Sequence, residues 1–221
     1  MRSPTSLKVV RDKLTYLNFE KLDRIDAACR QTSGAEGDIL EFGVALGGSG
    51  ILMAKYALPP KRFFGFDVFG QIPPPTSDKD DEKSRLRYDI IQSGKSKGIR
   101  GEEYYGYRDD LLTQVSNSFA QYGVPVDGQH VILCQGIFED TLPGTDIQKV
   151  SLAHIDCDWY DPVALCLSFC ADRLSPGGMI IIDDYHDYGG CRTAVDEFLA
   201  QRPEFALEDG RNPFLVKVPS K

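Results

Sequence analysis

Four aspartates stand in two short clusters. Asp156 and Asp158 flank Cys157 in the stretch His154 to Tyr160, and Asp183 and Asp184 lead into Tyr185 and His186. Each cluster ends an apolar run. While the chain is extended, residues two apart share a face, so Asp156 and Asp158 are expected to point to one side. Carboxylates gathered at neighbouring strand ends repel one another, and burial worsens this. Unless they face open water, something positive is expected between them. An oxygen-only donor set without a Cys/His cluster fits a hard cation such as Mg²⁺. In the plainer alternative, Asp183 and Asp184 cap their loop and Asp156 pairs with a basic residue. His186 is either a base near neutral pH or a loop residue. His154, inside an apolar run, reads as a hydrogen-bonded core residue, and His130 as structural.

A second constellation lies upstream. The run from Asp38 ends in Glu41-Phe-Gly43-Val-Ala-Leu-Gly47-Gly48-Ser49. Its glycines allow a tight turn and close backbone approach, and the next helix offers N-terminal amides. A Gly-rich turn of purely structural purpose has nearly the same signature. The following apolar run ends near Asp67, where an acid can bind the two hydroxyls of a ribose or simply cap the turn. Together the two features favour an adenosine-containing ligand.

These residues need a scaffold, and the apolar pattern supplies one. Strand-like runs at 38–44, 62–69, 130–134, 150–156 and 178–183 alternate with helical stretches at 50–58, 108–121, 162–174 and 191–200. Residues 205–207 and 214–218, split by Asp209-Gly210 and Asn212-Pro213, read as a closing hairpin. The expected fold is α/β, a mostly parallel sheet with helices on both faces and a C-terminal antiparallel hairpin. In such sheets ligands sit beyond the carboxyl ends of the strands, where the acids and glycines fall. Residues 1–36 read as an N-terminal helical segment. Residues 70–106, rich in Pro, Ser, Gly, Lys and Asp with weak periodicity, read as a lid or insertion.

The chain has 221 residues, net charge −8 and no apolar run long enough for a membrane helix. One domain is expected over 1–221. The acidic balance disfavours nucleic acid and anionic membranes as partners. MRSPTSLKVVRDKL has no apolar core or cleavage site, so no secretory signal is expected there. Six cysteines without a CxxC pair suit buried thiols in a reducing, cytoplasmic setting.

Six ordered stretches carry a resemblance to a known family. GDILEFGVALGGSG (37–50), FGFDVFGQIP (64–73), GIFEDTLP (136–143), LAHIDCDWYDP (152–162) and LSPGGMIIIDDY (174–185) with GCRTAVDEF (190–198) resemble the macrocin O-methyltransferase (TylF-type) family of class I S-adenosylmethionine-dependent enzymes. The resemblance implies a Rossmann-like, seven-stranded methyltransferase fold. It also implies S-adenosylmethionine bound at Glu41, Gly43, Gly47, Gly48, Ser49, Asp67, Asp156 and the stretch Gly136, Ile137 and Phe138. Asp156, Asp183 and Asp184 match the family's magnesium ligands. Asp158 matches its proposed general base, with His186 as a substitute. The Asp156-to-Asp183 separation also resembles that of catechol-type O-methyltransferases. The implied reaction is Mg²⁺-dependent methylation of a hydroxyl on a sugar or glycoside, small molecule or oligosaccharide. Methylation of a phenolic diol is the alternative, and a non-catalytic cofactor-binding module a more distant one. The family also implies a homo-oligomer. Phe69-Gly70-Gln71-Ile72-Pro73 departs from the family's pattern, so its antibiotic acceptors are not carried over.

Overall fold

A computed structural model describes residues 2–218; Met1 and residues 219–221, the ends of the span expected to form one domain, lie outside it. The strands are β1 (Asp38–Phe42), β2 (Phe63–Asp67), β3 (Val131–Gln135), β4 (Val150–Ile155), β5 (Leu174–Ile182), β6 (Phe205–Glu208) and β7 (Phe214–Lys217). They form one sheet in the order β3-β2-β1-β4-β5-β7-β6. The first five pair in parallel, and β7 pairs antiparallel with both β5 and β6. Strand order reverses at β1, which lies between β2 and β4, so the crevice for a ligand opens there.

Alternation along β1 divides the core. Ile39 packs with Val9, Leu22, Ile25, Ile51 and Phe119, whereas Leu40 and Phe42 pack with Val163, Leu167, Cys170 and Val195. The first group comes from α1 (Pro4–Arg11), α2 (Phe19–Gln31), α3 (Gly48–Ala54) and α5 (Leu111–Gln121), the second from α7 (Tyr160–Arg173) and α8 (Gly189–Gln201). Phe42 is fully buried and stacks on Phe66 at 5.1 Å. Side chains of this kind each contribute roughly 1.5–3 kcal/mol by burial. By the same alternation Glu41 faces the α1–α3 side, beside His154 in the β1–β4 register.

The N-terminal helical segment is two helices. In α2, Asn18 caps by accepting the Lys21 N–H at 3.0 Å, and Leu22, Ile25 and Cys29 form the buried stripe. That docking draws Lys21 inward toward the strand ends. All six cysteines are free, and five are buried.

Residues 70–106 differ from expectation. They hold a capped helix, α4 (Glu82–Gln92), besides 3-10 turns at Ile99–Gly101 and Tyr105–Tyr107. Asp81 caps α4 by accepting the Ser84 N–H at 2.8 Å. The apolar pattern hid this helix because Leu86 and Ile90 are exposed and Ile91 alone of its apolar residues is buried. A short α6 (Phe138–Thr141) follows β3. Among the described residues no helix is long and apolar enough to cross a membrane.

Candidate active site

A cavity of about 570 Å³ opens at the carboxyl ends of β1, β2, β3, β4 and β5. Its wall includes Gly43, Asp67, Gly136, Ile137, Phe138, Asp156, Asp158, Asp183 and Asp184. Nine of the residues singled out in the sequence therefore meet in one place.

At the β1–β2 side the turn is built by the backbone. Gly43 stands so close to β4 that a Cβ would lie 1.9 Å from the Asp156 carbonyl oxygen, and its φ of +92° is open to glycine. The Asp67 carboxylate accepts the Ala45 N–H at 2.8 Å through one oxygen and the Phe69 N–H at 2.7 Å through the other. Burial pushes its carboxyl up, and those backbone donors pull the other way. Asp67 is thus clamped facing the cavity, with oxygen lone pairs left for a diol. Across from it, Gly136 donates to the Asp67 carbonyl at 3.0 Å, and Phe138 packs edge-on against Phe42.

Four residues expected beside the cofactor do not line the cavity. Glu41 is fully buried beneath it, its Oε1 3.2 Å from His154 Nδ1. Gly47, Gly48 and Ser49 lie in the turn and first turn of α3. Two of the amides there are already used: Gly47 donates to Val44 O and Gly48 to Leu14 O, both at 2.8 Å. These residues shape the turn behind the cavity wall. His186 is also displaced from its expected place. It is exposed, with Nε2 3.1 Å from the Gly210 carbonyl, so it belongs to the hairpin turn and not to the cavity.

The acid cluster contains the positive charge that electrostatics required, and part of it is a lysine. Lys21 Nζ donates to Asp183 Oδ2 at 2.6 Å, to the Asp183 carbonyl at 3.0 Å and to Asp187 Oδ2 at 3.0 Å. His154 sits between Glu41 and Asp183, its Nε2 3.4 Å from Asp183 Oδ1. Burial alone would lower its pKa, but the hydrogen bonds to Asp183 and Glu41 raise it to about 9. Burial works against ionisation of Asp183 too, yet His154 and Lys21 hold its carboxyl below the ordinary range. A buried row of alternating charge, Glu41–His154–Asp183–Lys21–Asp187, results.

Asp156 and Asp184 are not neutralised in this way. Burial, then the charges of Asp183, Asp184 and Asp158, push the Asp156 carboxyl well above its usual value. Burial, then Asp158 and Asp183, do the same to Asp184, although it accepts the Asp158 N–H at 3.2 Å. Asp158 itself is held at φ +59°, a left-handed conformation that favours glycine and that aspartate tolerates better than most residues. Burial raises its carboxyl to about 6, with Arg87 opposing.

The grouping differs in detail from the expected ligand set. Donor atoms of His154, Asp156 and Asp183 come within 4.8 Å of one another; Asp184 stands outside that tight group. A protonated His154 bonded on both nitrogens has no lone pair for a metal. The oxygen donors Asp156, Asp183 and Asp184 remain, and ionising all three would place more negative charge here than Lys21 and His154 offset. A hard divalent cation would offset that charge.

Sequence reasoning missed the residues that arrive from outside the sheet. Lys21 comes from α2, and Tyr104, Tyr105, Lys83 and Arg87 from the 70–106 segment, all on the cavity wall. Two neighbouring carboxylates fasten that segment. Asp80 accepts the Tyr160 N–H at the start of α7 at 2.9 Å, and Asp81 accepts the Gly189 N–H at the start of α8 at 2.9 Å. Trp159 Nε1 donates to the Pro73 carbonyl at 3.0 Å. The Asp81-x-x-Ser84 pattern was the available signal for the helix.

Known proteins resemble this chain in sequence and in fold. The sequence is 32% identical over 202 residues to the 8-demethyl-8-(2,3-dimethoxy-alpha-L-rhamnosyl)-tetracenomycin-C 4'-O-methyltransferase of Streptomyces olivaceus, covering 88% of this chain and 70% of that one. It is 31% identical over 193 residues to the mycinamicin III 3''-O-methyltransferase of Micromonospora griseorubida, covering 83% and 69%. In fold, the O-methyltransferase NovP superposes with a TM-score of 0.75 at 24% identity, over 92% of this chain and 81% of that one. The model of the macrocin-O-methyltransferase (TylF) family matches residues 13–204, a span running from ahead of α2 through α8 and holding every acid of the cluster. By that match, and by the clamped acid and four-aspartate cluster it encloses, the chain belongs to the macrocin O-methyltransferase family.

Proposed function

We propose that this chain transfers a methyl group from S-adenosylmethionine to a hydroxyl of a sugar or glycoside, with a divalent cation such as Mg²⁺ held by Asp156, Asp183 and Asp184. The observation that carries the reading is a single cavity. It joins the backbone-clamped Asp67 to an Asp158 carboxyl raised to about 6 beside two unneutralised acids. The sugar as acceptor draws support from the relatives, whose names specify methylation on sugar positions.

Each residue has a task. Asp67 binds the ribose hydroxyls, and Gly136, Ile137 and Phe138 form the wall beside the base. When bound, S-adenosylmethionine supplies an electrophilic methyl and the cation supplies Lewis-acid polarisation of acceptor oxygens. Asp158 accepts the proton of the acceptor hydroxyl as the new C–O bond forms and the methyl–sulfur bond breaks. A carboxylate of raised pKa is a better base than an ordinary one and is still ionised at neutral pH. Lys21 and His154 fix the Asp183 carboxylate, so the floor does not rearrange during the reaction. The fastened α4 segment covers the site and excludes water.

Calorimetric titration of S-adenosylhomocysteine, and separately of Mg²⁺, tests the assignment of residues. Asp67→Ala is expected to weaken the nucleoside about tenfold or more, and Asp156→Ala to abolish Mg²⁺ binding while sparing the nucleoside. Wild-type protein that is folded yet binds no S-adenosylhomocysteine overturns the reading.

A further inference from the structure

The acidic chain has one conspicuously basic stretch. Residues 83–100 contain Lys83, Arg85, Arg87, Lys95, Lys97 and Arg100 against a single acid, Asp89, in a chain of net charge −8. Among the described residues, none of these six forms an ion pair within 4.0 Å. The three on α4 make only neutral contacts. Lys83 donates to the Asp187 carbonyl and lies over the Tyr188 ring, 4.7 Å from its centroid. Arg85 donates to Ser77 O at 3.2 Å, and Arg87 to Ser96 Oγ at 3.0 Å.

Their positions oppose local helix physics. The positive end of the helix dipole favours acids in the first turns and bases in the last. Yet Lys83, Arg85 and Arg87 all lie in the first half of α4, and its last turn has no base. Lys83 and Arg87 are also like charges at i and i+4, which repel. A helix that breaks two local rules without an internal gain marks a functional feature. Lys83 and Arg87 both line the cavity, brought there by α4 rather than by the strand ends. The cavity thus carries both signs: strand-end carboxylates that suit a hydroxyl, and two bases without a carboxylate within 4.0 Å, Arg87 acting on Asp158 only from a distance.

We propose that these two bases recognise phosphate, and that the acceptor is a sugar bearing a diphosphate, held by Lys83 and Arg87 while its reacting hydroxyl lies at Asp158. This rests on the methyl-transfer reading above. An arginine fork pairs bidentately with phosphate, and a lysine one turn away adds a point charge about 5–6 Å along the helix, a span that two linked phosphoryl groups fill and one carboxylate does not. The Asp80–Asp81 clasp on α7 and α8 sets the distance between α4 and the strand ends.

The test is titration of UDP into protein saturated with S-adenosylhomocysteine, in EDTA so that no metal bridges the phosphates to the aspartates. UDP is expected to bind the wild type and to weaken as salt rises. The Lys83→Gln/Arg87→Gln double variant is expected to lose about ten- to hundredfold in UDP affinity, with S-adenosylhomocysteine affinity unchanged. Glucose 1-phosphate as a second probe separates the sources: binding equal to that of UDP assigns a sugar phosphate, and tighter UDP assigns a nucleotide sugar. No UDP binding to the wild type, UDP binding that survives the double substitution, or tighter binding of glucuronate than of either phosphate overturns the proposal. UDP binding without S-adenosylhomocysteine binding would leave the phosphate site standing and remove the methyl-transfer reading instead.

Discussion

Replacing Lys21 with Met removes the cation on which the buried charge row depends. The Lys21 side chain is 8% exposed and that of Asp183 3%, so neither charge is screened by water. Truncating one partner of such a pair costs about 3–5 kcal/mol, because the other charge is left buried and unpaired. Two features place the expected cost at the low end. His154 still faces the second oxygen of Asp183, and Asp187 is 31% exposed and can be hydrated. The expected loss is about 3 kcal/mol, which for a chain of this size lowers Tm by about 6–12 °C. Thermal unfolding in EDTA reads this without interference from a metal. Adding Asp183→Asn removes the stranded charge, so the double variant should recover about 2 kcal/mol relative to the sum of the single changes. A Lys21→Met protein that melts within about 2 °C of the wild type, or a double variant with purely additive losses, would refute the idea that Lys21 holds Asp183 ionised.

Other consequences follow from single contacts. Asp158→Asn should reduce the methyl-transfer kcat by about 10²–10⁴-fold while calorimetry shows unchanged S-adenosylhomocysteine affinity; a loss confined to KM would assign Asp158 to binding instead. Gly43→Ala places a Cβ 1.9 Å from the Asp156 carbonyl oxygen, and chemical denaturation should show a loss of about 3 kcal/mol or more. Asp127 accepts N–H groups from Gln129, His130 and Val131, which lowers its carboxyl to about 2. Its contribution is present above the unfolded value near 3.8 and is lost as pH falls through about 2. Asp127→Ala should therefore cost about 1 kcal/mol at neutral pH, trimmed by solvent screening, and almost nothing at the acid end of a pH-stability series.

The sheet was legible because its strands are short apolar runs whose alternation divides two cores, as Ile39 and Leu40 do. Strand ends then located Gly43, Asp67, Asp156, Asp158, Asp183 and Asp184 without further information. Most of what escaped depends on contacts between distant segments. Lys21 looks like one more charged residue on an amphipathic helix until α2 docks and turns it toward Asp183. His186 follows two acids of the cavity wall in sequence, yet the β6–β7 hairpin draws its ring to Gly210. Glu41 stands at the head of the Gly-rich turn, but the pleat points it away from the cavity to His154. In α4 Leu86 and Ile90 face outward, Ile91 alone of the apolar residues is buried and polar clasps do the fastening, so hydrophobic periodicity carried no signal of it.

The central claim is tested most directly by methyl transfer from labelled S-adenosylmethionine to a panel of nucleotide sugars, sugar phosphates, free glycosides and catechols, each in EDTA and in Mg²⁺. The predicted result is Mg²⁺-dependent label on a sugar hydroxyl, abolished by Asp156→Ala. Label on catechols alone, or transfer to sugars that proceeds equally in EDTA, would contradict the account of the acid cluster and its acceptor.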